Sequence, residues 1–327
     1  MLRILLVFML CLPLSCQKSN VENTIQKPQL AKITIAFTYQ PQSTLVHVAL
    51  ALGYFKEEGL EVKSILHTYG KAALQSVLDK KADFATVAET PIMFNILNGE
   101  KIFVIANIES SNVNNAIIAR KDSGIIIQSK LKGKRIGFTP GTTSDFFLDS
   151  FLTGSGLTRK DIIPVGLKPE EMQDAILNKK VDAVSTWNYP LIQISHALGK
   201  NGIIYYDREI YTETFNIAAM QEYIQKNPEI TKSLLRALIK AENLIVKNPE
   251  QAMKIMSAAT NVDIKLIKEV WSAFNYKVVL DQTLILTLED ESRWALKNKL
   301  TDISVVPNFS NYIHADSLKA VKPEAVK

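Results

Sequence analysis

The sequence predicts an α/β protein of two lobes. Three observations carry this. Short β-rich runs alternate with helical ones from Lys32 to Tyr206, the pattern of mostly parallel sheets covered by helices on both faces. The chain has 327 residues, enough for two units at roughly 100–200 residues each. From Pro228 the chain changes to a series of helical runs, which are expected to pack back on the first lobe.

The first fifteen residues read as an export leader. Arg3 supplies the positive start, and Ile4 to Leu12 is an apolar run too short to span a bilayer. Leu12-Pro13-Leu14-Ser15-Cys16 resembles a bacterial lipobox, with Pro13 where Leu is usual. That resemblance implies lipidation of Cys16 as the mature N-terminus and a membrane anchor through it. Gln17 to Gln29 is polar and closes on Pro28–Gln29, a tether. No later segment reaches the ~20 apolar residues of a membrane span.

The first lobe opens with the alternating strand Lys32 to Phe37. It empties into Thr38-Tyr39-Gln40-Pro41-Gln42-Ser43, a loop with a helix cap in Ser43 or Thr44. Leu45 to Lys56 is helical, Gly59 stops it, and Leu60 to Ile65 is the next strand. The unit repeats as helix Gly70 to Lys80, strand Asp83 to Ala88, helix Ile92 to Leu97 and strand Ile102 to Ala106, with Glu89-Thr90-Pro91 at a strand end. Asn115 to Arg120 reads as a strand crossing to the second lobe. There the expected elements are a strand at Ile136–Phe138, a helix at Ser144–Leu152, a strand at Ile162–Val165 and a helix at Pro169–Leu177. A strand at Val181–Thr186, a helix at Pro190–Leu198 and a strand at Ile203–Tyr206 follow. Phe215 to Met220 is the return strand. Helices follow over Glu229–Val246, Pro249–Ala259, Ile264–Phe274 and Thr283–Lys299; Pro228 and Pro249 sit at helix starts, where a missing N–H costs least. Pro307 to Lys327 reads as a loose tail. The expected division is leader 1–15, tether 16–30, first lobe 31–116 with 217–327, and second lobe 117–216.

Composition excludes several classes. Hydrophobic residues make 47% and charged residues 22%, an ordinary globular balance. Net charge is +5, but the basic residues are scattered, without the clustered patch that nucleic acid requires. The only cysteines are Cys11 and Cys16, so the folded part has no disulfide, thiol nucleophile or cysteine metal site. His47, His67, His196 and His314 are far apart and do not suggest catalytic zinc. No serine sits in a Gly-x-Ser-x-Gly setting. Glu57-Glu58 and Glu170-Glu171 lie near helix starts, where the dipole accounts for them. The reading is therefore not an enzyme, with no cofactor and no metal.

In sheets of this kind ligands sit beyond the carboxyl ends of strands. That rule selects Tyr39, Gln40, Glu89 and Thr90 in the first lobe. In the second lobe, Gly137-Phe138-Thr139-Pro140-Gly141-Thr142-Thr143-Ser144 lacks both the lysine and the glycine spacing of a P-loop. What remains is a hydroxyl-rich helix start at Thr142, Thr143 and Ser144, able to meet an oxyanion or to serve as a plain cap. Trp187 and Asn188 end the strand of the same lobe. A carboxylate such as Glu89 would repel a bare dianion and suit an amine, a ring N–H or a hydroxyl.

Ala49-Leu50-Ala51-Leu52-Gly53-Tyr54-Phe55-Lys56-Glu57-Glu58-Gly59-Leu60-Glu61-Val62, with Lys81 to Ala85, Leu131 to Gly137 and Val181 to Trp187, resembles the signatures of one family. These are the ABC-importer substrate-binding proteins of the nitrate, sulfonate, taurine and thiamine-precursor branch. The resemblance implies a type II periplasmic binding protein: two α/β lobes, two crossing strands and a ligand closed in the cleft between them. It further implies a monomer outside the cytoplasm, delivering a small polar organic solute to permease subunits. Ligand-binding residues would be Tyr39, Gln40, Glu89, Thr90, Thr142, Thr143, Ser144, Trp187, Asn188 and Phe215. Two rivals stay open, an enzyme on the same fold that forms a pyrimidine and a ligand-sensing module for a membrane receptor.

Overall fold

The computed structural model describes residues 29–327. The leader, Cys16 and nearly all of the tether lie outside the described residues.

Two sheets organise the chain. The first lobe begins with strands β1 (Ala31–Thr38), β2 (Leu60–His67), β3 (Phe84–Ala88) and β4 (Ile102–Ser111). The second holds β5 (Asn115–Arg120), β6 (Arg135–Phe138), β7 (Ile163–Gly166), β8 (Ala183–Trp187) and β9 (Gly202–Tyr205). The chain then returns with β10 (Glu213–Met220) and β11 (Asn275–Val279). The strand orders are β11-β4-β10-β3-β1-β2 and β7-β6-β8-β5-β9.

Both sheets are mixed rather than mostly parallel. β1 runs parallel to β2 and β3, and β6 to β7 and β8. β10 is antiparallel to both β3 and β4, and β5 to both β8 and β9. The reversals come from the crossings, because a chain arriving from the other lobe starts its strand at the cleft-facing end, where the neighbouring strands finish. Asn115–Arg120 lies wholly in the second sheet and Glu213–Met220 wholly in the first. The connections thus fall earlier than expected, at 112–114 and 206–212.

Central strands are covered on both faces, and every residue of β3 and β5 is buried. β2, at an edge, leaves Leu66 half exposed. The helical reading over 45–56 is corrected: Gly53 takes a left-handed φ of 73° and splits it into Thr44–Ala51 and Tyr54–Glu57. The helices Pro228–Lys247 and Pro249–Thr260 both begin at their proline, and Asn248 caps the second by accepting from the Gln251 N–H at 3.1 Å. Leu234, Leu238 and Ile245 pack into the same core as β1, β3 and β4. The tail is not loose. Phe309, Leu318 and Ala325 are buried in that core, and Ile313 bridges to Val104 and Val326 to Leu280.

The lobes repeat one local design. The Asp83 carboxylate accepts from the Thr34 N–H at 2.7 Å, and Asp182 accepts from the Arg135 N–H at 3.0 Å. Lys80 and Lys179, three residues before each aspartate, share a left-handed φ of 59°. Both arrangements tie a helix end to the start of the strand that feeds the cleft.

Candidate ligand cleft between the lobes

Each lobe aims strand-to-helix turns at the other. In the first, the Ser43 hydroxyl accepts from the Thr38 N–H at 3.2 Å; in the second, the Ser144 hydroxyl accepts from the Thr139 N–H at 2.9 Å. The turns are equivalent, and they bring Gln40 and Gln42 opposite Thr142 and Thr143. Between them lies a narrow cleft of about 20 Å³, lined by Gln40, Gln42, Lys71, Thr142, Thr143, Trp187 and Glu213 among others. Tyr69, Gly70, Ala88, Pro91 and Phe215 complete the wall. That is room for about one water, well below the roughly 300–1,000 Å³ of small-molecule sites, so the lobes are drawn together here and must part for a solute to enter.

The residues singled out from sequence divide. Gln40, Thr142, Thr143, Trp187 and Phe215 line the cleft. Gln40 Nε2 and Trp187 Nε1 are buried donors without a partner. Tyr39 stacks on Tyr189 of the second lobe at 6.3 Å between centroids, outside the lining. Asn188 donates to Gln42 Oε1 at 3.1 Å and so stands behind the wall.

Glu89, Thr90 and Ser144 are not among the residues that line the cleft. Glu89 is fully buried: it accepts from the Tyr211 hydroxyl and from the N–H and hydroxyl of Thr214, at 2.8 and 2.9 Å for the last two. The Thr90 hydroxyl donates to Glu291. The Ser144 hydroxyl is held in its turn, and Thr143 donates to Asn115 Oδ1 at 3.1 Å. The hydroxyls at this helix start thus serve the protein, and what they leave for an anion is backbone N–H.

The carboxylate that does reach the cleft is Glu213, at the start of β10. It accepts from Gln42 at 3.2 Å, from Asn114 at 2.9 Å and from Asn115 at 2.6 Å. Burial pushes its carboxyl above the ordinary range, against those amide hydrogen bonds. Lys71 is the one cation in the lining. Its ammonium donates to the Pro140 carbonyl at 2.9 Å across the cleft, and burial lowers its pKa, with Asp145 opposing. Sequence reasoning passed over Gln42, Lys71 and Glu213. Lys71 follows β2 at a helix start, so the strand-end rule already pointed to it. Glu213 opens a return strand, where that rule does not look.

Contacts across the mouth hold the lobes together. Trp294 of the first lobe packs edge-on against Phe94 and against Phe146 of the second, at 5.8 and 5.3 Å. His196 meets Glu269 at 3.2 Å near the hinge. Among the described residues no group of three or more His, Cys, Asp or Glu is placed to hold a metal ion.

Two mixed sheets joined by two crossings, with a cleft at their facing strand ends, make up the periplasmic binding protein fold. The chain belongs to the family described as NMT1/THI5 like, matched over residues 40–252, which comprises sulfonate-, nitrate- and pyrimidine-precursor-binding proteins of ABC importers. A protein of Brucella abortus described as a binding protein is 26% identical over 76% of this chain and 77% of its own length. The formylaminopyrimidine-binding protein of Halalkalibacterium halodurans is 22% identical over 78% of each chain. The 4-amino-5-hydroxymethyl-2-methylpyrimidine phosphate synthase THI11 of Saccharomyces cerevisiae is 24% identical over 68% of this chain and 69% of its own. Among solved structures, the alkanesulfonate-binding protein SsuA of Xanthomonas axonopodis pv. citri, bound to MOPS, superposes with a TM-score of 0.76. It shares 16% identity over 88% of this chain and 99% of its own, a likeness of fold.

Proposed function

We propose that this chain is the extracytoplasmic solute-binding component of an ABC importer, anchored through lipid on Cys16. It captures a small polar organic solute by closing lobe 1 (31–111 with 213–327) onto lobe 2 (115–205), and the closed form is what the permease subunits engage. The observation that carries this reading is a small cleft lined from both lobes, so a solute's contacts to the two sides offset the cost of closure. Gln40, Thr142, Thr143, Trp187 and Phe215 are the binding residues retained from the sequence, joined by Gln42, Lys71 and Glu213.

Two chemistries fit the lining. An aminosulfonate such as taurine would place its anion by Lys71 and the Thr142–Thr143 backbone and its ammonium by Glu213. An aminopyrimidine would lie against Trp187 with its N–H groups on Glu213. Both use a carboxylate that nitrate would find repulsive. The role is capture rather than turnover, a reading supported by the binding proteins among its relatives, one other relative being a pyrimidine phosphate synthase.

The test is a thermal-shift screen of the chain from Gln17, followed by small-angle scattering on any hit. The panel is taurine, alkanesulfonates, nitrate, bicarbonate, hydroxymethylpyrimidine and riboflavin. A ligand at a hundred times its Kd stabilises by about 2.7 kcal/mol, a shift of a few degrees. A hit that also compacts the protein supports the reading, and chemical conversion of the hit would replace it with an enzyme.

A further inference from the structure

Glu109 is the least compensated group among the described residues. It is fully buried on β4, and neither carboxyl oxygen has a hydrogen-bond partner. On the β4–β10 ladder Ser111 pairs with Glu213 and Glu109 with Phe215. Side chains alternate along a strand and cross-strand partners share a face. Glu109, Glu213 and Phe215 therefore project to one side, and the last two line the cleft.

The surroundings of this pair are anionic or neutral. Helix Glu89–Leu97 adds Glu89, and helix Gln282–Lys297 adds Glu291, both fully buried. β11 contributes Tyr276, whose hydroxyl donates to the Pro41 carbonyl at 3.1 Å. The loop before helix Thr44–Ala51 contributes Gln42, the crossing Asn114, and β5 Asn115. Lys71, on helix Gly70–Leu78, directs its ammonium at Pro140 instead. Asp145, beyond it on helix Thr143–Gly154, is paired with Arg159. Among the described residues no Lys, Arg or His forms an ion pair with Glu89, Glu109, Glu213 or Glu291. Four buried carboxyls without a cation cannot all ionise. Burial, and then Glu213, push Glu109 well above the ordinary carboxyl range.

We propose that Glu109 and Glu213, on one face of the β4–β10 ladder and without a direct hydrogen bond, together hold one titratable proton, and that capture of an ammonium- or amidinium-bearing solute expels that proton from the cleft. The proposal rests on the cleft being the solute site. The solute's cation takes the place of that proton as the counter-charge of the pair. The proton leaves a carboxyl oxygen for solvent, and no covalent bond changes beyond that O–H. The unpartnered donors Gln40 Nε2 and Trp187 Nε1 call for acceptor atoms on the remainder of the solute. Glu109 touches no solute; it is a positioning residue acting through Glu213.

The sign follows from linkage. Acid loads the pair with protons that compete with the cation, so affinity rises with pH. One proton released per solute bound gives a slope of up to about tenfold per pH unit. The experiment is calorimetry of the chain from Gln17 between pH 5 and 8, in buffers of different ionisation enthalpy. The probes are taurine and benzamidine, each set against an uncharged counterpart at the same position, isethionate and benzamide. We expect at least one cationic probe to bind with release of close to one proton and to outbind its counterpart tenfold or more. In Glu109→Gln, which is isosteric and removes a buried acid, the pH slope should flatten while binding persists. Cation binding without proton release, or a slope that survives in Glu109→Gln, overturns the proposal. Isethionate binding with compaction overturns it and leaves the importer reading standing. Silence from both cationic probes overturns it too, and a hit elsewhere on the wider panel would then separate its failure from that of the importer reading.

Discussion

Trp294 donates its indole N–H to the Asp149 carboxylate at 2.8 Å, from a helix of the first lobe to a helix of the second. Asp149 is itself held by Arg159 at 2.7 Å, so the acceptor is fixed before the lobes meet. This is a latch at the cleft mouth, set in a cluster of three aromatic rings.

Replacing Trp294 with Phe keeps ring packing against Phe94 and Phe146 and removes only the donor. A hydrogen bond to a charged acceptor contributes about 1.5 kcal/mol or more, which corresponds to about tenfold weaker capture of whichever solute closes the cleft. Calorimetry gives the affinity and scattering gives the open fraction. Unchanged values in both would remove the latch.

Trp187→Ala should weaken solute binding by about 2 kcal/mol or more, the scale of a buried aromatic anchor. Trp187 is almost fully buried at the end of β8, so the alanine also leaves a void and lowers stability. Trp187→Phe separates the two effects: it retains a ring and loses the Nε1 donor. Equal affinity in the wild type and both variants would sink the stacking role.

Glu291 is fully buried, and burial raises its carboxyl from the ordinary 4.5 to about 8. Across that window the folded protein holds a proton that the unfolded chain gives up. Stability therefore falls as pH rises, by at most about 1.4 kcal/mol per unit from this group. Glu291→Gln should melt higher than wild type by a margin that widens from pH 5 to pH 8. A constant margin would contradict the assignment.

His47 has the opposite sign. Burial pushes it from 6.5 down to about 4, so its contribution is complete above 6.5 and is lost as pH falls toward 4. Its ring nitrogen lies 2.8 Å from the Thr38 carbonyl oxygen. In a proton NMR titration the His47 ring should show no charge change above about pH 5.

Gly70 leaves no room for a methyl group. An added Cβ would lie 3.0 Å from the Val87 Cα and 3.1 Å from the tip of the Phe215 ring. The strand cannot yield, so the ring must. Gly70→Ala should cost about 1–3 kcal/mol through overpacking and should displace Phe215 from the cleft wall. Wild-type melting together with wild-type affinity would rule this out.

Much of the fold was legible because its signals are local. The alternation of Lys32 to Phe37, the apolar run of Phe84 to Ala88 and the prolines at 228 and 249 each name their element within a few residues. β11 was missed although Tyr276 and Val278 alternate inward with Asn275 and Lys277 outward, because a short strand between helices carries little weight. The tail was misjudged because Phe309 and Leu318 are anchored by a core assembled from β4 and from the helices after Pro228, which no local pattern in the tail reveals. The site was less legible for the same reason. Glu89 and Glu213 are both glutamates at strand ends, and either could have faced a solute. Tyr211 and Thr214, well over a hundred residues away, cover Glu89, and no local pattern distinguishes it from Glu213.

The position of β10 governs the order in which the molecule can be assembled. It lies between β3 and β4, which do not pair with each other, yet it follows the whole second lobe in the chain. A nascent polypeptide that has reached Tyr205 contains every strand of the second sheet, all from one contiguous stretch, and can collapse there through short-range closure. The first sheet at that moment is two separate pieces. Its central seam is sealed only when residue 213 and those after it arrive, so the lobe that begins the chain is the last to mature.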